Sequence, residues 1–246
     1  MKIAIAGFGF VGQAVFAGII EKDQVVIYDP PKGYNHPEKL LDCDIIICCL
    51  PTPTINGEQD FSFYRVFLDN LKGYQGVLVI KSTVLIENIR PYLKEFRIVM
   101  NPEFLNQNSA IEDFMHQKAI ILGGDTKDCY GVVEMYRDYF DIQYDSLEIV
   151  TLEEAILCKY VHNIYHAYKV LFWNYVQEVT GNSRKYAKLY KRIRKDMDNE
   201  MSQICADGLP GFGGACFPKD TAAQHQHHPH PLTGFMIEYN KQLRGE

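Results

Sequence analysis

A doubly wound parallel α/β sheet followed by a helical domain is the fold class this sequence predicts, and three observations carry it. Short β-rich apolar runs alternate with amphipathic stretches through the first half of the chain. A glycine-rich turn, Gly7-Phe8-Gly9-Phe10-Val11-Gly12, joins the first apolar run to the first amphipathic stretch. After about Asp145 the strand signals stop, and long stretches without Gly or Pro take over.

Taken in order, Lys2 to Ala6, Gln24 to Tyr28, Asp44 to Leu50, Gly76 to Ile80, Arg97 to Met100 and Ala119 to Leu122 read as strands. Each is a short aliphatic run bounded by polar or turn residues. Between them, Val11 to Glu21, Ser62 to Lys72, Ile86 to Phe96 and Lys127 to Phe140 read as helices, so right-handed crossovers should build the sheet. Thr151 and Glu154 have the spacing of a capping box, which opens a long spine helix running to about Val179. The triplet Gly181-Asn182-Ser183 ends it; a helix over Arg184 to Cys205, a glycine-rich loop over Asp207 to Gly214 and a last helix near Thr233 to Leu243 follow. The expected domains are 1–150, carrying the sheet, and 151–246, carrying the helices. The tract His225-Gln226-His227-His228-Pro229-His230 reads as an exposed polar loop and not as a metal site.

Composition narrows the function classes. With 246 residues, 47% of them apolar, the chain can bury a substantial core. A net charge of −6 gives no nucleic-acid footprint, although Arg184 to Lys195 is locally basic. The apolar runs are too short to span a bilayer and no leader precedes Gly7, so a soluble, unexported protein is expected. Seven cysteines without a CxxC pair fit a reducing cytoplasm better than a disulfide framework or a zinc cage.

The glycine turn has the strand-then-helix context that the dinucleotide fingerprint of a Rossmann domain requires. Gly7 suits the tight turn, Gly9 the close approach of a pyrophosphate and Gly12 helix-strand packing, while Phe10 and Val11 open the helix whose N–H groups face the phosphates. Asp29 stands at the end of the next strand, where a carboxylate can accept both ribose hydroxyls and repel a 2′-phosphate. NAD is therefore the expected cofactor, in preference to NADP.

Gly211-Phe212-Gly213-Gly214-Ala215-Cys216-Phe217-Pro218-Lys219-Asp220 is the most specific stretch. It resembles the active-site loop of the UDP-glucose/GDP-mannose dehydrogenase family, whose cysteine is the nucleophile of an alcohol-to-acid oxidation that reduces two NAD in turn. Other family motifs recur in order. Pro51 and Thr52 resemble the segment along the cofactor, with Thr54 and Asp60 beyond. Lys81-Ser82-Thr83-Val84 resembles the segment with a threonine beside the reaction centre. Asn101-Pro102-Glu103-Phe104-Leu105 resembles the catalytic glutamate loop, and Lys159 and Asn163 match a lysine and an asparagine that face the substrate.

The resemblance implies catalytic roles for Cys216, Lys159, Asp220, Glu103, Asn163 and Thr83. It adds Pro51, Thr52, Thr83, Glu103 and Lys219 to the cofactor contacts, and makes Phe104, Leu105, Lys159, Asn163, Phe212 and Gly213 substrate contacts. Lys159 and Asn163 lie four apart on a helix and share a face. A lysine near Asp220 would stabilise an alkoxide, Cys216 would form a thiohemiacetal and then a thioester, and Glu103 would activate the hydrolytic water. UDP-glucose is the implied substrate, and a homodimer through the long helix is implied too, using Tyr165, Tyr168, Leu171, Phe172 and Trp173. Members of the family carry a third, nucleotide-enclosing domain, and the chain ends soon after the helix that would lead to it. Two alternatives to a nucleotide-sugar dehydrogenase stay open: a dehydrogenase of a smaller alcohol or aldehyde, and a non-catalytic binding remnant.

Overall fold

The computed structural model describes residues 1–193 and 207–246. The expected end of the helix at Cys205, with Arg194 and Lys195, lies outside the described residues. The chain divides into two units, one of Met1–Pro53 with Asp60–Lys159, the other of Thr54–Gln59 with Tyr160–Glu246.

In the first unit β1 (Ile3–Ala6) leads through the glycine turn into α1 (Phe10–Gly18), followed by β2 (Val26–Tyr28) and β3 (Ile45–Cys48). Strands β1 and β3 are buried along their whole length, as a sheet covered on both faces demands. Beyond a hairpin of β4 (Thr54–Ile55) and β5 (Glu58–Gln59), which belongs to the second unit, come α2 (Ser62–Asp69), β6 (Val77–Ile80), α3 (Ile86–Ile89) and β7 (Arg97–Met100). The unit continues with α4 (Ala110–Met115), β8 (His116–Gly124), α5 (Thr126–Tyr139) and β9 (Gln143–Val150). The sheet order is β2-β1-β3-β6-β7-β8-β9. Strand β1 pairs in parallel with both β2 and β3, so the order reverses there, and a ligand crevice opens at the carboxyl ends of the strands at such a point.

Three features differ from the expected elements. Strand β9 runs where strand signals were expected to stop. It pairs in parallel with β8 over His116↔Gln143 to Gly123↔Val150, but as a largely exposed edge strand carrying Gln143, Asp145, Ser146 and Glu148 it shows no apolar run. The β7–β8 pair is antiparallel, Val99↔Gly124 and Met100↔Gly123, so the sheet is mixed. The helix expected over Ile86 to Phe96 stops at Ile89 and tightens into a 3-10 turn over Arg90–Tyr92, because Pro91 lacks an N–H and crowds the preceding turn.

The long helix α6 (Leu152–Thr180) starts from a reciprocal capping box. Thr151 N–H donates to Glu154 Oε2 at 2.8 Å, and Glu154 N–H donates to Thr151 Oγ1 at 3.2 Å. Gly181, at φ +68°, ends the helix in a left-handed turn. Then come α7 (Ser183–Ile193), α8 (Phe217–His227) and α9 (Pro231–Arg244). The second unit's core gathers Ala167, Leu171, Phe212 and Met236. The histidine tract is not a loop: His225 and His227 lie in α8, His225 Nδ1 is 2.8 Å from Thr233 Oγ1, and His230 caps α9. Among the described residues, no helix is long and apolar enough to cross a membrane.

Candidate active site

In the first unit the glycine turn has the shape a dinucleotide needs. Gly7 sits at φ +88°, and a Cβ there would lie 2.5 Å from the Cys49 carbonyl oxygen. A Cβ on Gly12 would lie 2.1 Å from the Gly7 carbonyl oxygen, so a side chain would push α1 off the turn. Over Gly9, by contrast, there is nothing within 4 Å, which leaves its face open to a pyrophosphate at the amino terminus of α1. Phe10 is 37% exposed at that terminus, and Val11 is half-buried. Asp29 Oδ2 accepts the Phe8 N–H at 2.7 Å, which ties the end of β2 to the turn and holds a partly exposed carboxylate there. Glycines, helix terminus and acid thus fit NAD.

Around the carboxyl ends of β3, β6 and β7 lies a polar cluster. Thr52 and Thr83 are both buried, and Thr52 Oγ1 donates to the Thr83 carbonyl at 2.7 Å, fastening the two predicted cofactor segments together; Pro51 beside them is exposed. Glu103 is 7% exposed, and its Oε2 is buried with no hydrogen-bond partner among the described residues. Burial pushes its carboxyl above the usual range, while the charges of Lys81 and Lys159 oppose that shift. Lys159 is buried on α6 with its ammonium 5.5 Å from the Phe104 ring centroid. Phe104 and Leu105 are half-buried, and Leu105 packs on the unit's main core.

Sequence reasoning gave no role to the residues beneath Glu103. Lys81 is 2% exposed and donates to Asn101 Oδ1 at 2.9 Å, and Tyr136 O–H donates to the same oxygen at 2.6 Å. A lysine directly after the wholly apolar run Val77–Ile80 is the signal that would have found it. Cys49, close by, is no nucleophile at neutral pH, since burial pushes its thiol up to about 12.

The second unit carries the cysteine. Cys216 is partly exposed and occupies the N-cap position of α8, and its carbonyl accepts the Asp220 N–H at 2.9 Å, closing the first turn. Asp220 is fully buried; Asn163 Nδ2 donates to its Oδ2 at 2.5 Å, and the Lys219 ammonium pairs with its Oδ1. Within this unit the cation on Asp220 is thus Lys219, which the sequence had assigned to the cofactor. One of the two Asn163 side-chain N–H groups is committed to Asp220.

Phe212 is core: its N–H donates to Asn240 Oδ1 at 2.7 Å, and its carbonyl accepts from Asn240 Nδ2 at 3.0 Å. Gly213 next to it is buried as well. The β4–β5 hairpin packs on α8, with Thr54 Oγ1 donating to the Lys219 carbonyl at 2.9 Å. Its turn, Asn56 at φ +52° and Gly57 at φ +85°, is the Asn-Gly hairpin signal.

Comparison with known proteins identifies the family. The model of the UDP-glucose/GDP-mannose dehydrogenase family's NAD binding domain matches residues 34–140, and that of the same family's central domain matches 153–241. A UDP-glucose 6-dehydrogenase of Rickettsia conorii is 30% identical over 230 residues, covering 85% of this chain and 51% of the relative. The solved UDP-glucose dehydrogenase of the hyperthermophilic archaeon Pyrobaculum islandicum superposes with TM-score 0.79 at 18% identity, over 98% of this chain and 68% of that one. The solved 3-hydroxyisobutyrate dehydrogenase of Mycobacterium tuberculosis gives TM-score 0.71 at 17% identity, over 98% of this chain and 92% of that one. At these identities the two structural likenesses show the fold alone. The chain spans about half the length of the curated relatives it matches. Two matched domains in the family's own order lead to one conclusion: the chain belongs to the UDP-glucose/GDP-mannose dehydrogenase family, and its amino-terminal part is that family's NAD-binding domain.

Proposed function

We propose that the protein oxidises the C6 alcohol of a nucleotide sugar, UDP-glucose first among candidates, to the uronic acid through a covalent intermediate on Cys216. The observation that carries this reading is Cys216 at the head of α8, one turn before a fully buried Asp220 that Asn163 and Lys219 hold in place. Gly7, Gly9, Gly12 and Asp29 would hold NAD. When bound, NAD supplies the hydride acceptor for both oxidations, alcohol to aldehyde and thiohemiacetal to thioester.

The protein's own groups handle protons, charge and the covalent bond. Asp220 accepts the alcohol proton, directly or through water, and the Lys159 ammonium stabilises the oxygen as it gains charge. The Cys216 thiolate then adds to the aldehyde carbon, and the new oxyanion draws on the second Asn163 side-chain N–H. Glu103, with a free buried oxygen, takes a proton from water as that water attacks the thioester carbon. Thr83 orients the water. The C–S bond breaks, the thiolate returns, and the acid leaves.

The exposed face of α6 supports a homodimer as the working assembly. Leu157, Val161, Tyr165, Tyr168, Phe172, Tyr175 and Val179 are all exposed and recur every three or four residues, so they form one apolar stripe. Leu171 and Trp173, expected on the same surface, are instead buried. A monomer by sedimentation at micromolar concentration would reject this assembly. A reducing cytoplasm suits the six described cysteines, all unbridged. The activity is tested by NADH absorbance with a panel of UDP- and GDP-sugars. The reading predicts two NADH per UDP-glucose consumed; turnover of small alcohols alone, or no turnover at all, contradicts it.

A further inference from the structure

We propose that Lys81 is a positioning residue for Glu103: its buried ammonium fastens the strand end that carries the glutamate loop and supplies the positive charge that keeps the Glu103 carboxylate able to accept a proton. This rests on the reading of Glu103 as the hydrolytic base.

Lys81 follows β6 directly and is among the largest fully buried side chains. Its ammonium donates to Asn101 Oδ1 at 2.9 Å, to the Asn101 carbonyl at 3.4 Å and to Tyr136 Oη at 3.4 Å, and it lies 5.5 Å from the Phe114 ring centroid. Asn101 is fixed in turn, because Tyr136 O–H donates to its Oδ1 and its Nδ2 donates to the Ile121 carbonyl at 2.9 Å. Lys81 thus locks the backbone two residues before Glu103.

Every one of these partners is neutral, and a buried ammonium with only neutral partners is costly. Burial keeps the Tyr136 phenol and the Cys49 thiol protonated, so neither offers a negative charge. Asp113 on α4 already accepts the Asn106 N–H at 2.7 Å and the Ser109 hydroxyl at 2.9 Å. Glu103, whose Oε2 is buried without a partner among the described residues, is the carboxylate whose charged form Lys81 and Lys159 favour. The pairing runs both ways: the lysine's charge favours the carboxylate, and the carboxylate makes the buried lysine tolerable.

The test is a carbon-13 NMR titration of the full chain labelled at glutamate side-chain carboxyls, with Glu103 assigned by the resonance lost in Glu103→Gln. In Lys81→Gln the Glu103 midpoint should move to higher pH, and in Lys81→Arg it should stay near wild type. Asn101→Asp, which sets a competing carboxylate on the ammonium, should also raise it and serves if Lys81→Gln does not fold. In the enzyme assay, the pH profile of product formation in Lys81→Gln should shift the same way, with turnover at neutral pH reduced at least about tenfold. An unchanged Glu103 midpoint in both Lys81→Gln and Asn101→Asp overturns the proposal. A protein that turns over no nucleotide sugar would sink the functional reading, yet the titration would still decide the role of Lys81.

Discussion

Two glycines of the cofactor turn should respond in opposite ways to the same added methyl group. In Gly12→Ala the new Cβ would lie 2.1 Å from the Gly7 carbonyl oxygen, a fixed backbone atom, so α1 must move by at least about 1.3 Å to reach ordinary contact. Overpacking of this kind costs about 1–3 kcal/mol, against at most about 1 kcal/mol gained from helix propensity. A net loss of about 1–2 kcal/mol lowers the urea midpoint by about 0.5–1 M at a slope of about 2 kcal/mol/M. Gly9 has an extended backbone, φ −74° and ψ −161°, and nothing within 4 Å, so Gly9→Ala should change stability by less than about 0.5 kcal/mol. Its methyl group nevertheless fills the space reserved for the pyrophosphate and should weaken NAD binding at least tenfold, about 1.4 kcal/mol. Urea unfolding and calorimetric NAD titration of both variants measure this. If Gly9→Ala binds NAD like wild type, the open face is not the phosphate site.

Further outcomes follow from single groups. NAD should bind at least about tenfold more tightly than NADP, because Asp29, held by the Phe8 N–H, repels a 2′-phosphate; calorimetric titration yielding equal or tighter NADP binding removes Asp29 from that role. Glu103 has a folded-state pKa raised by burial, so its contribution to stability is fully present below the ordinary carboxylate range and is lost as pH rises through the folded value. Glu103→Gln should therefore gain in urea midpoint relative to wild type between about pH 4 and pH 7. A gap that stays constant or narrows would show that Glu103 is not strained by burial. Asp220→Ala should destabilise the second unit by about 3 kcal/mol, since it leaves Lys219 and Asn163 without their buried partner, and thermal unfolding checks this.

The parts of the fold that the sequence announces are those where one residue type has one physical job. Buried strands such as Ile45–Cys48 are continuous aliphatic runs, and the Thr151–Glu154 box marks the start of α6 because its reciprocal bonds need those two side chains three apart. Strand β9 stayed hidden because pairing, not burial, makes it a strand, and pairing leaves no trace in polarity. Site residues on contiguous motifs were easy to nominate. What the sequence could not convey was partnership: that Lys219 pairs with the buried Asp220, that Asn240 clamps Phe212, or that Lys81 lies buried on Asn101. Those relations join residues 20 or more positions apart, apart from the adjacent Lys219–Asp220 pair, which charge pattern alone does not distinguish from a solvated one.

The proposed thioester on Cys216, hydrolysed with the help of Glu103, is tested by the intact mass of Glu103→Gln after incubation with NAD and UDP-glucose. A covalent adduct of the mass of the uronyl nucleotide sugar should build up as NADH forms, map to Cys216 and be absent from Cys216→Ser, which should form no uronic acid. Normal turnover to the acid by Cys216→Ser, with no adduct in Glu103→Gln, would contradict it.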